Sequence, residues 1–369
     1  MIEDVIRRDA LMAHPKNQIL TQQYRIFTMF SNKKFLIIHN TQIPIITALP
    51  RWIFAIFVYF DTHKIPYISK LLDYRNLMFF YPLLIRVLQQ KIKHYNPTEA
   101  HISSFAVAKN IATTQQNSII YNLHAQSPFM YIHNHYKNNL KKLKFPIKQF
   151  YILAHRFLSP RDLTSRHYQH ISANSSYTAW LLQTIYGLPV NDIHFPKLDH
   201  LFLQFPVSTT RSDYFVFIGR LVTFSKQVDI IIQAFNESKH NLVIIGSGPD
   251  EQYLQSIAWS NIEFLGRIAD PWERCRIIWN AKWLVNITME SFGYVTAESV
   301  CLGTPVIGYN KWATPEIIDS ESGLLIAHQH KKDLKRSITE FLQKQWDYTH
   351  ISQRARAKFT FSNLKFTLK

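Results

Sequence analysis

The segment Glu290-Ser-Phe-Gly-Tyr-Val-Thr-Ala-Glu298 concentrates residues able to do chemistry. It follows an apolar run at 283–287, opens a helix near Tyr294, and is stopped by Gly303-Thr304-Pro305. Gly293, next to Phe292, lets a ligand approach the backbone, and a helix start favours a diphosphate through its unpaired amides. Glu290 falls in the loop before the helix and Glu298 one turn inside it. Two carboxylates at this spacing can bracket a ligand and accept hydrogen bonds from sugar and ribose hydroxyls. The bland alternative is a capped surface helix carrying two solvated glutamates.

Gly219-Arg220-Leu-Val-Thr-Phe-Ser-Lys226 is the second constellation. It sets two permanent cations just after an apolar run, on the same expected sheet edge as Glu290. Such cations neutralise charge that builds on a departing diphosphate, Arg220 as a two-pronged fork and Lys226 as a point charge. No Asp-x-Asp occurs in the chain, and metal-held phosphates need clustered carboxylates. His133 and His135, two apart, do not share a helix face. No metal and no cofactor are therefore expected. The cations and the helix start would do the metal's work.

Those residues need elements to hold them. In the second half, apolar runs at 214–218, 242–245, 262–265, 283–287 and 306–307 read as strands, with helical spacing at 228–235 after the first. Most of these runs end in glycine, and strands ending in glycine turns that lead into helices describe a doubly wound parallel sheet. Ligands sit outside the carboxyl ends of such strands. Eight of the nine glycines lie in this half, which places phosphate-cradling loops there. In the first half, strands are expected at 18–24, 35–39, 100–104, 118–123 and 170–173, and helices at 4–12, 77–92 and 176–185.

Composition bounds the rest. A chain of 369 residues, 47% hydrophobic and 18% charged, predicts a packed globular protein of two domains. The expected division is 1–205 for an N-terminal domain, 206–345 for a C-terminal domain and 346–369 for a helical tail. Two cysteines, Cys275 and Cys301, read as buried thiols in a reducing compartment. The first ten residues lack the apolar core of a secretion signal, and the longest clean apolar run, 52–60, is too short to span a bilayer. A cytoplasmic protein, with peripheral binding at the inner membrane face as a candidate, is expected.

Charge is uneven. Residues 1–205 carry 23 Lys and Arg against 9 Asp and Glu, or +14; residues 206–369 carry 19 against 16, or +3. The excess, concentrated at 137–148 (KNNLKKLKFPIK), makes an anionic membrane surface a candidate partner. Its alternative is a solvated helix face. Nucleic acid is not expected, because no recognised binding motif accompanies the charge.

The run from Gly219-Arg220-Leu221 and Lys226, through Gly246-Ser-Gly-Pro-Asp250 and Phe264-Leu-Gly266, to Glu290, Glu298 and Gly303-Thr-Pro-Val306 resembles the C-terminal domain of family 4 glycosyltransferases. These are retaining, metal-independent enzymes of the GT-B fold, with two Rossmann-like domains facing a cleft. More loosely, Ile102-Ser-Ser-Phe-Ala-Val-Ala-Lys109, Ser127-Pro128 and Tyr131, Ser172-Ala-Asn-Ser175 and Ile193-His-Phe-Pro196 resemble the bacterial O-antigen mannosyltransferase branch. The resemblance implies that Arg220 and Lys226 hold the donor pyrophosphate, Glu298 the ribose hydroxyls and Glu290 the donor sugar. Backbone near Arg267-Ile268 would meet the base.

Three departures accompany it. Family members begin with a strand and a Gly-Gly loop, whereas Met1 aligns inside the following helix, so a truncated N-terminus lacking that strand is expected. The family's histidine and arginine flanking Pro128 are replaced by Gln126 and Met130, which leaves His124, displaced by two, as the candidate catalytic histidine. The glycine pair before Glu316 is replaced by Trp312-Ala313. The implied reaction is hexose transfer from a nucleotide diphosphate sugar, GDP-mannose by the branch resemblance, to a glycan or lipid-linked acceptor. The alternative is a truncated, non-catalytic relative that binds sugar nucleotides without turnover.

Overall fold

The computed structural model describes residues 170–360 except Lys197, together with residues 35–38, 99–102, 120–125, 149 and 152. The expected elements at 4–12, 18–24 and 77–92 lie outside the described residues, as do the runs 52–60 and 137–148, Gln126, Met130, His133 and His135. The chain divides into two compact units: Met1–Ala173 with Leu181–Asp192, and Asn174–Trp180 with Ile193–Lys369.

The first unit's described strands are β1 (Phe35–Ile38), β2 (Glu99–Ile102), β3 (Ile120–Ala125), β4 (His170–Ala173) and β5 (Asp192–Ile193). They lie side by side in sequence order, and β1 to β4 pair in parallel. Four of the expected strands fall on β1 to β4, with ends shifted by no more than two residues. The loop before β5 is tied to β4, where Ile171 N donates to Asn191 Oδ1 at 2.7 Å. Helix α1 (Ser176–Tyr186) follows β4 and contributes its first residues to the second unit.

The second unit holds β6 (Ser212–Ile218), β7 (Leu242–Ile245), β8 (Ile262–Gly266), β9 (Ala281–Asn286), β10 (Val306–Tyr309) and β11 (Gly323–Ile326). All pair in parallel, in the order β8-β7-β6-β9-β10-β11. The chain builds outward from β6 to β8, then returns to lay β9 on the other side of β6. The strand order therefore reverses between β6 and β9, and a doubly wound sheet opens a ligand crevice beyond the strand ends at that point. Helices α2 (His200–Gln204), α3 (Thr223–Lys226), α4 (Val228–Ser238), α5 (Glu251–Ile257), α6 (Pro271–Asn280), α7 (Tyr294–Cys301), α8 (Lys331–Gln343) and α9 (Tyr348–Thr360) complete it.

Period-two alternation puts one core on each face of this sheet. Phe215 and Phe217 of β6 and Val285 of β9 pack with Ile232 and Phe235 of α4 and Ile338 and Phe341 of α8. Val216 and Leu284, one residue out of phase, pack with Ile278 of α6, Ala297 and Val300 of α7, and Ile351 and Phe359 of α9. Each large side chain removed from water contributes about 1.5–3 kcal/mol. Phe215 and Trp283 are paired in register across β6 and β9 and stack at 4.6 Å, which fastens the two strands where the order reverses. Helix α9 is bound to the end of α7 by Ser352 Oγ and Arg356 Nε, both donating to the Cys301 carbonyl at 2.6 and 2.9 Å. Both cysteines are free and buried, and no helix among the described residues is long and apolar enough to cross a membrane.

Candidate active site

The carboxyl ends of β6, β7 and β8 meet edge to edge through glycines. Gly219 N donates to Ile245 O at 3.0 Å, and Gly246 N donates to Gly266 O at 2.7 Å. A Cβ on Gly246 would lie 1.8 Å from Gly219 O, and one on Gly248 would lie 2.2 Å from Leu221 O. Only glycine permits loops this close. The β7 loop in turn positions the β6 loop, because Asp250 Oδ2 accepts from Thr223 N and Thr223 Oγ1 at 2.8 and 2.9 Å. Asp250 thereby caps the start of α3, the short helix whose last residue is Lys226.

Across the point of reversal, the loop after β9 is fixed from several sides. Asn286 Nδ2 donates to Thr296 Oγ1 of α7 at 2.9 Å, Gln329 Nε2 donates to Ile287 O at 2.5 Å, and Ala313 N donates to Glu290 O at 3.2 Å. Thr288 Oγ1 lies between Asn286 Oδ1 (2.6 Å) and Glu290 Oε1 (2.7 Å), its one proton serving one oxygen at a time. The same Glu290 Oε1 is ion-paired with Lys226 Nζ. The structure thus brings together Lys226 and Glu290, 64 residues apart, at the ends of β6 and β9. Gly293 begins α7 with φ +100°, a conformation open to glycine and strained for other residues. Having no side chain, it leaves the helix start without an N-cap group.

Other expected site residues are placed differently. Arg220 is exposed in the same β6 loop, beside Gly219, and Arg267 is exposed directly after Gly266. Glu298 lies inside α7, 8% exposed, and does not share the Lys226 pairing. Its partner is Arg274 of α6, whose Nη2 stands 3.4 Å from Glu298 Oε1. Burial pushes the Glu298 carboxyl up to about 7 against the downward pull of Arg274, with Asp199 adding to the rise. Phe292 is a core residue, 2% exposed and packed against Phe195 and Phe359 at 5.8 and 5.9 Å. The Phe292 side chain is therefore enclosed in the core and not presented to a ligand. His124 lies on β3 of the first unit, opposite Ser172 of β4. Among the described residues no cluster of three or more His, Cys, Asp or Glu could hold a metal.

The sequence alone did not single out Arg274, Thr288 or Asn286. Arg274 is one of several cations on a surface helix whose N-cap, Asp270, and N1 residue, Pro271, are its only local signals. Its pairing with a glutamate 24 residues away has no sequence signature.

Residues 203–358 match the family described as Glycosyl transferases group 1. The matched residues fall within the second unit. No curated protein matches the chain. The chain is similar in structure to a sucrose-phosphate synthase from Thermosynechococcus elongatus, with a TM-score of 0.58 and 17% identity over 77% of this chain and 74% of that one. HepE from Anabaena, in complex with UDP, gives 0.55 and 14% over 75% and 77%. A glycosyltransferase from Rickettsia africae gives 0.52 and 14% over 76% and 77%. The fold is GT-B, as the sequence resemblance implies.

Proposed function

We propose that the chain transfers a hexose from a nucleotide diphosphate sugar to a glycan or lipid-linked acceptor, with retained configuration and without a metal. The observation that carries this reading is the Lys226–Glu290 pair at the reversal point of the second sheet. Lys226, with Arg220 in the same loop, would offset charge on the departing diphosphate, which the start of α7 would also hold. Glu290, held by Thr288, would accept hydrogen bonds from hydroxyls of the transferred sugar. Glu298, on the helix that follows, would take the ribose hydroxyls, and backbone near Arg267 would meet the base. HepE is described in complex with UDP, and a pneumococcal O-GlcNAc transferase at 15% identity with UDP and GlcNAc; both support a nucleotide-sugar donor. GDP-mannose is the donor to test first, on the branch resemblance. His124 remains the candidate catalytic histidine of the first unit. Binding to anionic vesicles over neutral ones would support a lipid-linked acceptor at the cytoplasmic membrane face.

The test is a thermal-shift screen of nucleotide sugars on the wild type and on Glu298→Ala. A donor that stabilises the first and not the second supports the assignment; ligand concentrations of about 100 times Kd give about 2.7 kcal/mol of stabilisation. The absence of any shift across the common nucleotide sugars overturns it. For the donor found, NMR of the product's anomeric proton decides retention, and turnover in EDTA decides metal independence.

A further inference from the structure

Helices α6 and α7 pack on one face of the second sheet, and there the Arg274 guanidinium meets the Glu298 carboxylate. The contact is partial. Arg274 Nη2 stands 3.4 Å from Glu298 Oε1, while Arg274 Nε is enclosed without a hydrogen-bond partner among the described residues. The guanidinium also lies over the fully buried Phe202 ring of α2, with Cζ 5.4 Å from the ring centre, which fixes its place. One long bond and one unpaired donor are a poor source of stability, because a buried ion pair recovers its desolvation only with close geometry and satisfied donors. What the contact does is divide the two carboxylate oxygens. Oε1 faces Arg274. Oε2 takes no hydrogen bond among the described residues, yet it is not one of the enclosed unpartnered atoms, so it holds part of the 10% of the side chain that stays open.

The other elements packed around Glu298 offer it little. Asp199, the N-cap of α2, accepts from Leu201 N at 3.1 Å and works against ionisation of the carboxyl. Cys275 of α6 and Cys301 of α7 are thiols that burial pushes up to about 12, so both stay neutral. Arg356 of α9 is committed to carbonyl oxygens, those of Cys301 and Phe205. Strands β9 and β10 present Leu284 and Val306 to this side. Burial lifts the Glu298 carboxyl to about 7, Arg274 pulls it down and Asp199 adds to the rise. Among the described residues, Arg274 is therefore the group that favours the charged form. A charged carboxylate accepts hydrogen bonds more strongly than a neutral acid, and the adjacent hydroxyls of a ribose supply two donors.

We infer that Arg274 is a positioning residue of the donor site: by holding Oε1 of Glu298 it leaves Oε2 for the ribose hydroxyls of the nucleotide and keeps the carboxylate charged to receive them. This rests on the proposed role of Glu298 and deepens it, because nucleotide binding becomes linked to a proton. The nucleotide favours the ionised carboxylate, so affinity rises as pH passes upward through the Glu298 value. Without Arg274 the carboxyl keeps its proton to higher pH, and the rise in affinity moves up with it.

The experiment titrates UDP, GDP and ADP, and the 2′,3′-dideoxy analogue of whichever binds, into the full chain by calorimetry between about pH 6 and pH 9. In the wild type the ribonucleotide should bind about tenfold more tightly than its dideoxy analogue at the upper end, and the ratio should shrink as pH falls. Arg274→Met should bring the ratio close to unity at neutral pH and restore it only at higher pH, with the dideoxy affinity unchanged. Arg274→Lys, which keeps a cation, should fall between. An arginine that only held the fold together would weaken both ligands alike. Equal losses for the two ligands in Arg274→Met, or a wild-type ratio that does not change with pH, overturns the inference and leaves the donor site standing. If Arg274→Met does not fold, Arg274→Lys and the wild-type pH profile decide by the same criteria. Binding of none of the three nucleotides by the wild type overturns the donor-site reading, and the inference with it.

Discussion

Glu290 and Glu298 sit eight residues apart on one continuous segment, yet they occupy opposite environments. Glu290 is in a loop, its side chain about a quarter exposed, with a hydroxyl and an ammonium on the same oxygen. Glu298 is inside a helix, 8% exposed, with a single guanidinium at the edge of hydrogen-bonding distance. Burial dominates at Glu298 and raises its carboxyl to about 7. Spacing along a chain therefore does not assign matching roles to two acids. The loop acid is partly open to solvent and balanced by its neighbours, whereas the helix acid carries an unfavourable desolvation that a single guanidinium only partly offsets.

Breaking the loop side should have the largest effect. Lys226→Ala and Glu290→Gln are each expected to lower kcat/KM by about 10² to 10³, the range seen when one preorganised charge-stabilising group is removed. The unfolding midpoint should move little, because partly exposed ion pairs contribute about 0–1 kcal/mol. Kinetics with the donor found by the thermal-shift screen, beside urea titrations, checks both. Loss of stability in proportion to loss of rate would make the pair structural.

The helix side should appear as a pH dependence. A carboxyl whose folded value exceeds its unfolded value binds more protons in the native state between pH 4.5 and 7, so stability falls as pH rises through that window and stays lower above it. Glu298→Gln should remove a loss of about 3 kcal/mol between pH 4.5 and pH 8. Chemical denaturation of both proteins at the two pH values measures it. Parallel pH profiles for variant and wild type would show that Glu298 is ionised freely in the fold.

The junction between the two environments is Gly293. Gly293→Ala places a Cβ 3.3 Å from Ile317 Cδ1 at φ +100°, and should cost about 1–3 kcal/mol while weakening nucleotide binding. Calorimetry with and without donor separates the two effects. The smallest change is expected from Thr288→Val, which leaves Asn286 Oδ1 without its hydroxyl neighbour and loosens the Glu290 carboxylate. About 1 kcal/mol of stability and a few-fold rise in KM should follow.

Much of the second sheet is legible in the sequence because its strands are short, apolar and closed by glycine. β6, β7, β8 and β9 fall within two residues of their expected positions. β11 has no counterpart in that reading, since it opens on Gly323 instead of ending in a glycine and pairs only at the sheet edge with β10. The loop glycines are likewise legible, and the 1.8 Å approach at Gly246 gives the physical reason they are needed. The partners of the charged residues were not legible. Lys226 has the same local pattern whether it meets water, a phosphate or Glu290.

From residue order alone follow an α/β chain with a parallel sheet in its second half and glycine-bearing loops at that sheet's carboxyl edge, with Arg220, Lys226 and Glu290 in or beside them. Those properties depend on neighbours a few residues apart, where apolar runs and glycines act directly on the backbone. Tertiary structure decided that the sheet reverses between β6 and β9, that Lys226 meets Glu290, and that Glu298 is buried against Arg274. Such pairings join residues 24 to 64 positions apart, and their distances exist only once two cores have packed the helices onto both faces of the sheet.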